Sequence, residues 1–168
     1  MGPNEYVELA LKLGADHAVL FKIEDIEFDS RTIMKCMFGC NDWGKGHTCP
    51  SRPGSLMPWE YEKIFSKYSW GIIIHSTDKK RSQEVSFALE SRAFVDGHYF
   101  AFSLSDCALC LECAGFKNQP CVNPKKARPA FHSVGIDVFK TVRKFNLPLQ
   151  TLENREQPQN WYAAVFIE

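Results

Sequence analysis

Hydrophobic residues along the chain follow two spacings, one typical of helices and one typical of strands. Apolar residues three and four positions apart predict helices over 4–13, 58–68, 80–96 and 129–146. Apolar runs and alternations predict strands over 17–24, 70–76, 98–104 and 161–167. Residues 70–76, WGIIIHS, are the most continuous apolar run, which is typical of a central strand buried on both faces.

The order of these elements predicts an α/β fold. Helices that alternate with strands favour a single-sheet α/β sandwich, here of about four strands, with helices packed on the sheet. The chain has 168 residues, enough for a sizeable core, and no linker or low-complexity tract divides it. We therefore expect one domain over residues 1–168, with two cysteine-rich loops between its elements.

The first of these loops, residues 31–53, is called here the first cysteine segment. It lacks a clear apolar period and contains Cys36, Cys40 and Cys49 together with three glycines and two prolines. Loops of this length inside a compact domain are usually functional. The segment therefore predicts an ordered loop with a binding role.

The second loop, residues 107–124, reads CALCLECAGFKNQPCVNP and is called the second cysteine segment. Cys107, Cys110 and Cys113 recur at intervals of three, and Cys121 follows. Bacterial ferredoxins hold a [4Fe–4S] cluster with a similar run, although here the last gap is seven residues instead of three. Structural zinc is the main alternative, and it usually needs two separated cysteine pairs. Buried thiols that pack as small hydrophobic groups are the third interpretation.

The number of cysteines limits how clusters can be shared. Two [4Fe–4S] clusters need about eight thiolates, and the chain has seven cysteines. Cys121 either completes the cluster of its own segment, which we favour, or crosses to the first segment. One or two clusters are therefore expected. Asp42 or His47 could fill the remaining position, and Cys36, Cys40, His47 and Cys49 would alternatively form a zinc site.

Charge and composition narrow the class of protein. Twenty basic side chains balance twenty acidic ones, which gives no general attraction to nucleic acid or to a membrane surface. We expect no signal peptide in the first residues, which carry Glu5 and Glu8, and no apolar run approaches the about 20 residues of a membrane helix. Seven cysteines in a chain expected to be cytoplasmic indicate metal or redox chemistry rather than disulfides.

Several phrases of the chain resemble a family of predicted metal-binding proteins, domain of unknown function 2284. The resemblance covers about residues 31–145 and rests on Gly39-Cys40, Trp43-Gly44, Cys49-Pro50, the four cysteines of the second segment, Arg128-Pro129 and Gly135–Val138. Ser51 and His132 depart from the family pattern without affecting a cysteine. The resemblance implies metal or cluster binding, commonly in anaerobic bacteria and archaea, and it implies no particular reaction.

The helix predicted after the second segment would begin near Pro129 and direct its positive N-terminus at an anionic cluster. Arg128, Lys125 or Lys126 could add positive charge there. The leading hypothesis is an iron–sulfur protein that transfers electrons to a redox partner protein. The alternatives are an enzyme with an open iron site for substrate binding or sulfide relay, and a zinc-stabilised interaction module.

Overall fold

A computed structural model describes residues 1–154 and 156–168 of the chain. The helices are α1 (Pro3–Lys12), α2 (Thr32–Gly39), α3 (Pro58–Phe65), α4 (Lys79–Val95) and α5 (Val138–Arg143). The strands are β1 (His17–Lys22), β2 (Trp70–Ser76), β3 (Phe102–Leu104) and β4 (Trp161–Phe166). Three 3₁₀ turns cover Ile23–Asp25, Ala114–Lys117 and Phe131–Val134. The predicted α/β class and all four predicted strands are therefore confirmed.

The four strands form one antiparallel sheet in the order β1-β2-β4-β3. Strand β2 is central, as its continuous apolar run predicts, and Ile72, Ile73 and Ile74 are fully buried. Its side chains alternate between the two faces, so that each face has its own core. Ile72 and Ile74 pack with residues of α1 and α4, whereas Ile73 packs with Phe65 and the aromatic residues of the other face.

The structure differs from the prediction in three places. Helix α2 lies inside the first cysteine segment, where no regular element was predicted. Its apolar residues Met34, Met37 and Phe38 are exposed, and only Cys36 is buried, so the helix lacks the apolar stripe by which sequence patterns are recognised. Strand β3 is shorter than predicted, because residues 97–101 form turns with Tyr99 and Phe100 exposed.

The helix predicted over residues 129–146 is broken in two. A 3₁₀ turn is followed by Gly135, which adopts a left-handed φ of +86° that ends the turn. Helix α5 then begins at Val138, and the Asp137 side chain caps it by accepting from the Lys140 N–H at 3.0 Å. The expectation of a helix N-terminus near Pro129 directed at a cluster is therefore wrong.

The two cysteine segments reach the same region by different routes. The register of the sheet places the end of β1 and the end of β3 at opposite ends of the sheet. After β1 the chain turns back, and Phe28 pairs with Ile136 in an isolated bridge before α2 begins. This return path brings the first segment to the end of the sheet at which β3 delivers Cys107. None of the described helices combines the length and the apolar character that crossing a membrane requires.

Candidate metal centre

All seven cysteines line one cavity of about 250 Å³ between the two segments. Its wall also contains Asp42, His47, Asp106 and His132, and Lys79 from the first turn of α4. The Lys79 ammonium lies 4.8 Å from the centre of the Trp161 ring, which holds it at this end of the sheet. The structure thus brings together every cysteine that the sequence indicated, although Cys36 and Cys121 are 85 positions apart in the chain.

The seven thiols are free and differ in burial. Cys36 is buried in α2, whereas Cys40, Cys107 and Cys110 are exposed at the mouth of the cavity. Burial raises the pKa of the Cys36 thiol to about 11, and the neighbouring Cys49, Cys40 and Asp106 add to this effect. Without a metal the Cys36 thiol is therefore protonated at neutral pH, and a bound metal would displace that proton.

Three of the sulfur atoms have hydrogen-bonding partners close to them. The Asp42 N–H donates to Cys40 Sγ at 3.4 Å, and the Asn123 side-chain amide donates to Cys110 Sγ at 3.3 Å. The Ser51 hydroxyl lies 2.8 Å from Cys49 Sγ. Donors of this kind stabilise thiolates, and in iron–sulfur proteins they help to set the reduction potential.

The two segments contact each other directly. His47 Nε2 lies 2.7 Å from the carbonyl oxygen of Gln119, and a carbonyl only accepts, so Nε2 carries the proton. A Cβ atom on Gly115 would lie 2.2 Å from the carbonyl oxygen of Lys45, so only glycine fits this position. The cavity therefore depends on close backbone packing between residues that are about 70 positions apart.

Helix α4 anchors the second cysteine segment at both ends. Near the start of the segment, the Ala108 N–H donates to the side-chain oxygen of Gln83 at 2.7 Å, and Gln83 is buried in α4. After the end of the segment, Arg128 forms a largely buried ion pair with Glu90, which lies two helical turns along α4 from Gln83. The Gln83 Nε2 donor is itself buried and has no hydrogen-bond partner within the described parts of the chain.

The sequence suggested that Arg128 could supply positive charge to the cavity, and the structure does not place it there. Its guanidinium is held by Glu90 and stacks on Phe87 and Phe102, and it is not part of the cavity wall. Among the described residues, Lys79 is the lysine or arginine that lines the wall. The sequence did not predict that Gln83 and Glu90 anchor the second cysteine segment. The one available indication was that both are polar residues in a helix with regularly spaced apolar positions.

The size and chemistry of the cavity can be compared with a metal group. Seven thiols suit soft or borderline metals, iron–sulfur clusters and zinc among them. A volume of 250 Å³ is many times the about 10–15 Å³ that one water needs, so there is room for a group of several heavy atoms. Among the described residues, no group of three or more His, Cys, Asp or Glu side chains converges closely enough to hold a single metal ion.

The position of Cys121 is compatible with both ways of sharing the thiols. Cys121 and Cys49 line the main cavity and also a neighbouring groove, so the two segments approach each other there.

Comparisons with curated proteins and with solved structures give no match. A family model described as "Predicted metal-binding protein" matches residues 19–167, which is most of the chain and includes every cysteine. The chain therefore belongs to the predicted metal-binding protein family, domain of unknown function 2284.

Proposed function

We propose that this protein binds one or two [4Fe–4S] clusters in the cavity between its two cysteine segments and transfers single electrons to or from a partner protein. The observation that carries the proposal is the convergence of all seven cysteines on one cavity of about 250 Å³. Membership in a metal-binding family supports the coarser part of it, the binding of a metal.

The donor set favours iron and sulfide over zinc. Thiolates are the usual ligands of iron–sulfur clusters, and the spacing of Cys107, Cys110 and Cys113 is one that such clusters use. A zinc ion needs four donors at about 2.0–2.3 Å from one point. The cysteines here instead surround a wide space, and N–H donors lie close to Cys40 and Cys110.

Exposure of the cavity mouth favours electron transfer. Cys40, Cys107 and Cys110 are exposed, so a bound cluster would lie close to the protein surface. Two apolar side chains next to these cysteines, Phe38 and Leu111, are exposed as well. Exposed apolar residues around a cofactor suit a short-lived contact with another protein.

The experiment is quantification of iron and acid-labile sulfide after purification without oxygen. We expect about four iron atoms per chain for one cluster or about eight for two, with equal amounts of sulfide. Absorbance near 400 nm that is bleached reversibly by a reductant, with a one-electron resonance signal, would support electron transfer. Colourless protein that contains zinc and no iron would refute the proposal.

Serine variants of single cysteines then test how the thiols are shared. If Cys121 completes the cluster of its own segment, C121S and C107S lose the same iron and leave any cluster of the first segment intact. If Cys121 crosses over, C121S resembles C36S instead. The iron content and the resonance spectrum of each variant distinguish the two arrangements.

A further inference from the structure

We infer that His47 is a cluster ligand through Nδ1 and supplies the donor that seven cysteines leave missing. The inference rests on the proposed function and names the residue that completes the first cysteine segment. Two clusters require about eight protein donors, and the chain offers seven thiols. His47 lies two residues before Cys49 and lines the same cavity.

The hydrogen bond of His47 determines which nitrogen is available. Nε2 donates to the Gln119 carbonyl at 2.7 Å, so a neutral imidazole ring keeps its lone pair on Nδ1. Histidines that bind metals almost always donate their other ring N–H to a carboxylate or a backbone carbonyl, which fixes the ring and its tautomer. His47 already has this arrangement, with the carbonyl supplied by the opposite cysteine segment.

Packing also fixes the orientation of the ring. Gly115 lies against the Cδ2–Nε2 edge of His47, because a Cβ atom built there would be 3.2 Å from Cδ2 and 3.4 Å from Nε2. This edge therefore faces the second cysteine segment. Nδ1 lies on the other side of the ring, away from Gln119 and Gly115.

Two carboxylates compete with His47 for this role. Asp106 lies near Cys36, whose pKa it helps to raise, and Asp42 follows Cys40. Imidazole is the better ligand for iron, whereas carboxylate oxygen prefers harder cations. Imidazole also replaces thiolate on one iron of Rieske centres, with a rise in the reduction potential. Neither carboxylate has an orienting bond comparable to that of His47 among the described residues.

The test detects the nitrogen itself. Anaerobically purified, one-electron-reduced protein is examined by pulsed electron paramagnetic resonance, with natural histidine and with ¹⁵N-labelled histidine. We expect a hyperfine coupling of the size of a directly bound nitrogen, which changes with the label. The coupling should be lost in H47A and H47C. It should persist in H132A, since the His132 side chain lines the same cavity and has no such orienting hydrogen bond among the described residues.

The cysteine variant separates loss of the ligand from loss of the fold. H47C offers a thiolate at the same position, so we expect it to keep its iron, to lack the nitrogen coupling and to have a lower reduction potential. Iron-loaded wild-type protein without a histidine coupling, or a coupling that persists in H47A, would overturn this inference alone. Wild-type protein without iron would overturn the proposed function, and the inference with it.

Discussion

The ion pair between Arg128 and Glu90 offers the sharpest test of how the cysteine segments are held. Only 12% of the Arg128 side chain and 13% of the Glu90 side chain are exposed. The Glu90 carboxylate accepts from Arg128 Nε at 2.9 Å, from the Ser103 N–H at 2.7 Å and from the Ser103 hydroxyl at 2.5 Å. The substitution R128M keeps most of the apolar stem and leaves the Glu90 charge without its cation.

The expected loss follows from this geometry. Removing one partner of a buried ion pair costs about 3–5 kcal/mol, because the other charge remains buried without compensation. Ser103 continues to donate two hydrogen bonds to Glu90, so we expect the lower end, about 3 kcal/mol. For a chain of this size, each kcal/mol lowers Tm by about 2–4 °C, which gives a fall of roughly 6–12 °C.

The assay is urea and thermal unfolding of the metal-free protein, followed by circular dichroism. The double variant E90Q/R128M should recover most of the loss, because no buried charge remains and the amide oxygen still accepts from Ser103. As a control, E84A breaks the exposed pair of Lys80 and Glu84, which are 3.7 Å apart, and should cost only about 0.3–0.5 kcal/mol. A loss below about 1 kcal/mol in R128M would refute the reasoning, as would a double variant no more stable than R128M.

Three further predictions concern the cavity and the sheet. G115A should abolish most iron binding while leaving the sheet of the metal-free protein folded, because its Cβ would displace the opposite segment, whereas G39A, which has open space around it, should bind iron normally. N123A should lower the reduction potential in a redox titration, since a hydrogen bond to Cys110 Sγ that is about 1 kcal/mol stronger in the reduced state corresponds to about 40 mV for one electron. Burial lowers the pKa of His75 below its ordinary 6.5, so the unfolded chain binds the proton more readily than the folded protein. The free energy of unfolding should therefore fall as the pH drops below about 6.5. H75Q should remove this dependence in urea titrations at several pH values.

Much of the fold follows from local patterns. Ile72, Ile73 and Ile74 predict a central strand because a strand covered on both faces must be apolar at every position. Val85 and Leu89 predict α4 because they repeat at the helical spacing and are buried. Helix α2 could not be predicted in this way, because its exposed side, which includes Phe38, carries the apolar residues.

The cysteines could be found from the sequence, and their surroundings could not. Cysteines at intervals of three indicate a metal site because iron–sulfur proteins use that spacing. The bond from His47 to Gln119 spans 72 positions, and the pair of Glu90 and Arg128 spans 38. Contacts of this kind produce no regular spacing of residues in the sequence, because they depend on how the completed sheet brings distant loops together.

The order of the strands also determines when the cysteine-lined cavity can form. Within the described sheet, β3, which delivers the chain to Cys107, pairs only with β4, and β4 follows every other element in the chain. A ribosome must therefore synthesise residues 161–166 before the sheet that aligns the two groups of thiols can close. Until then the cysteines of the nascent chain have no finished pocket, so a metal group in this cavity would be inserted only after translation has passed this strand.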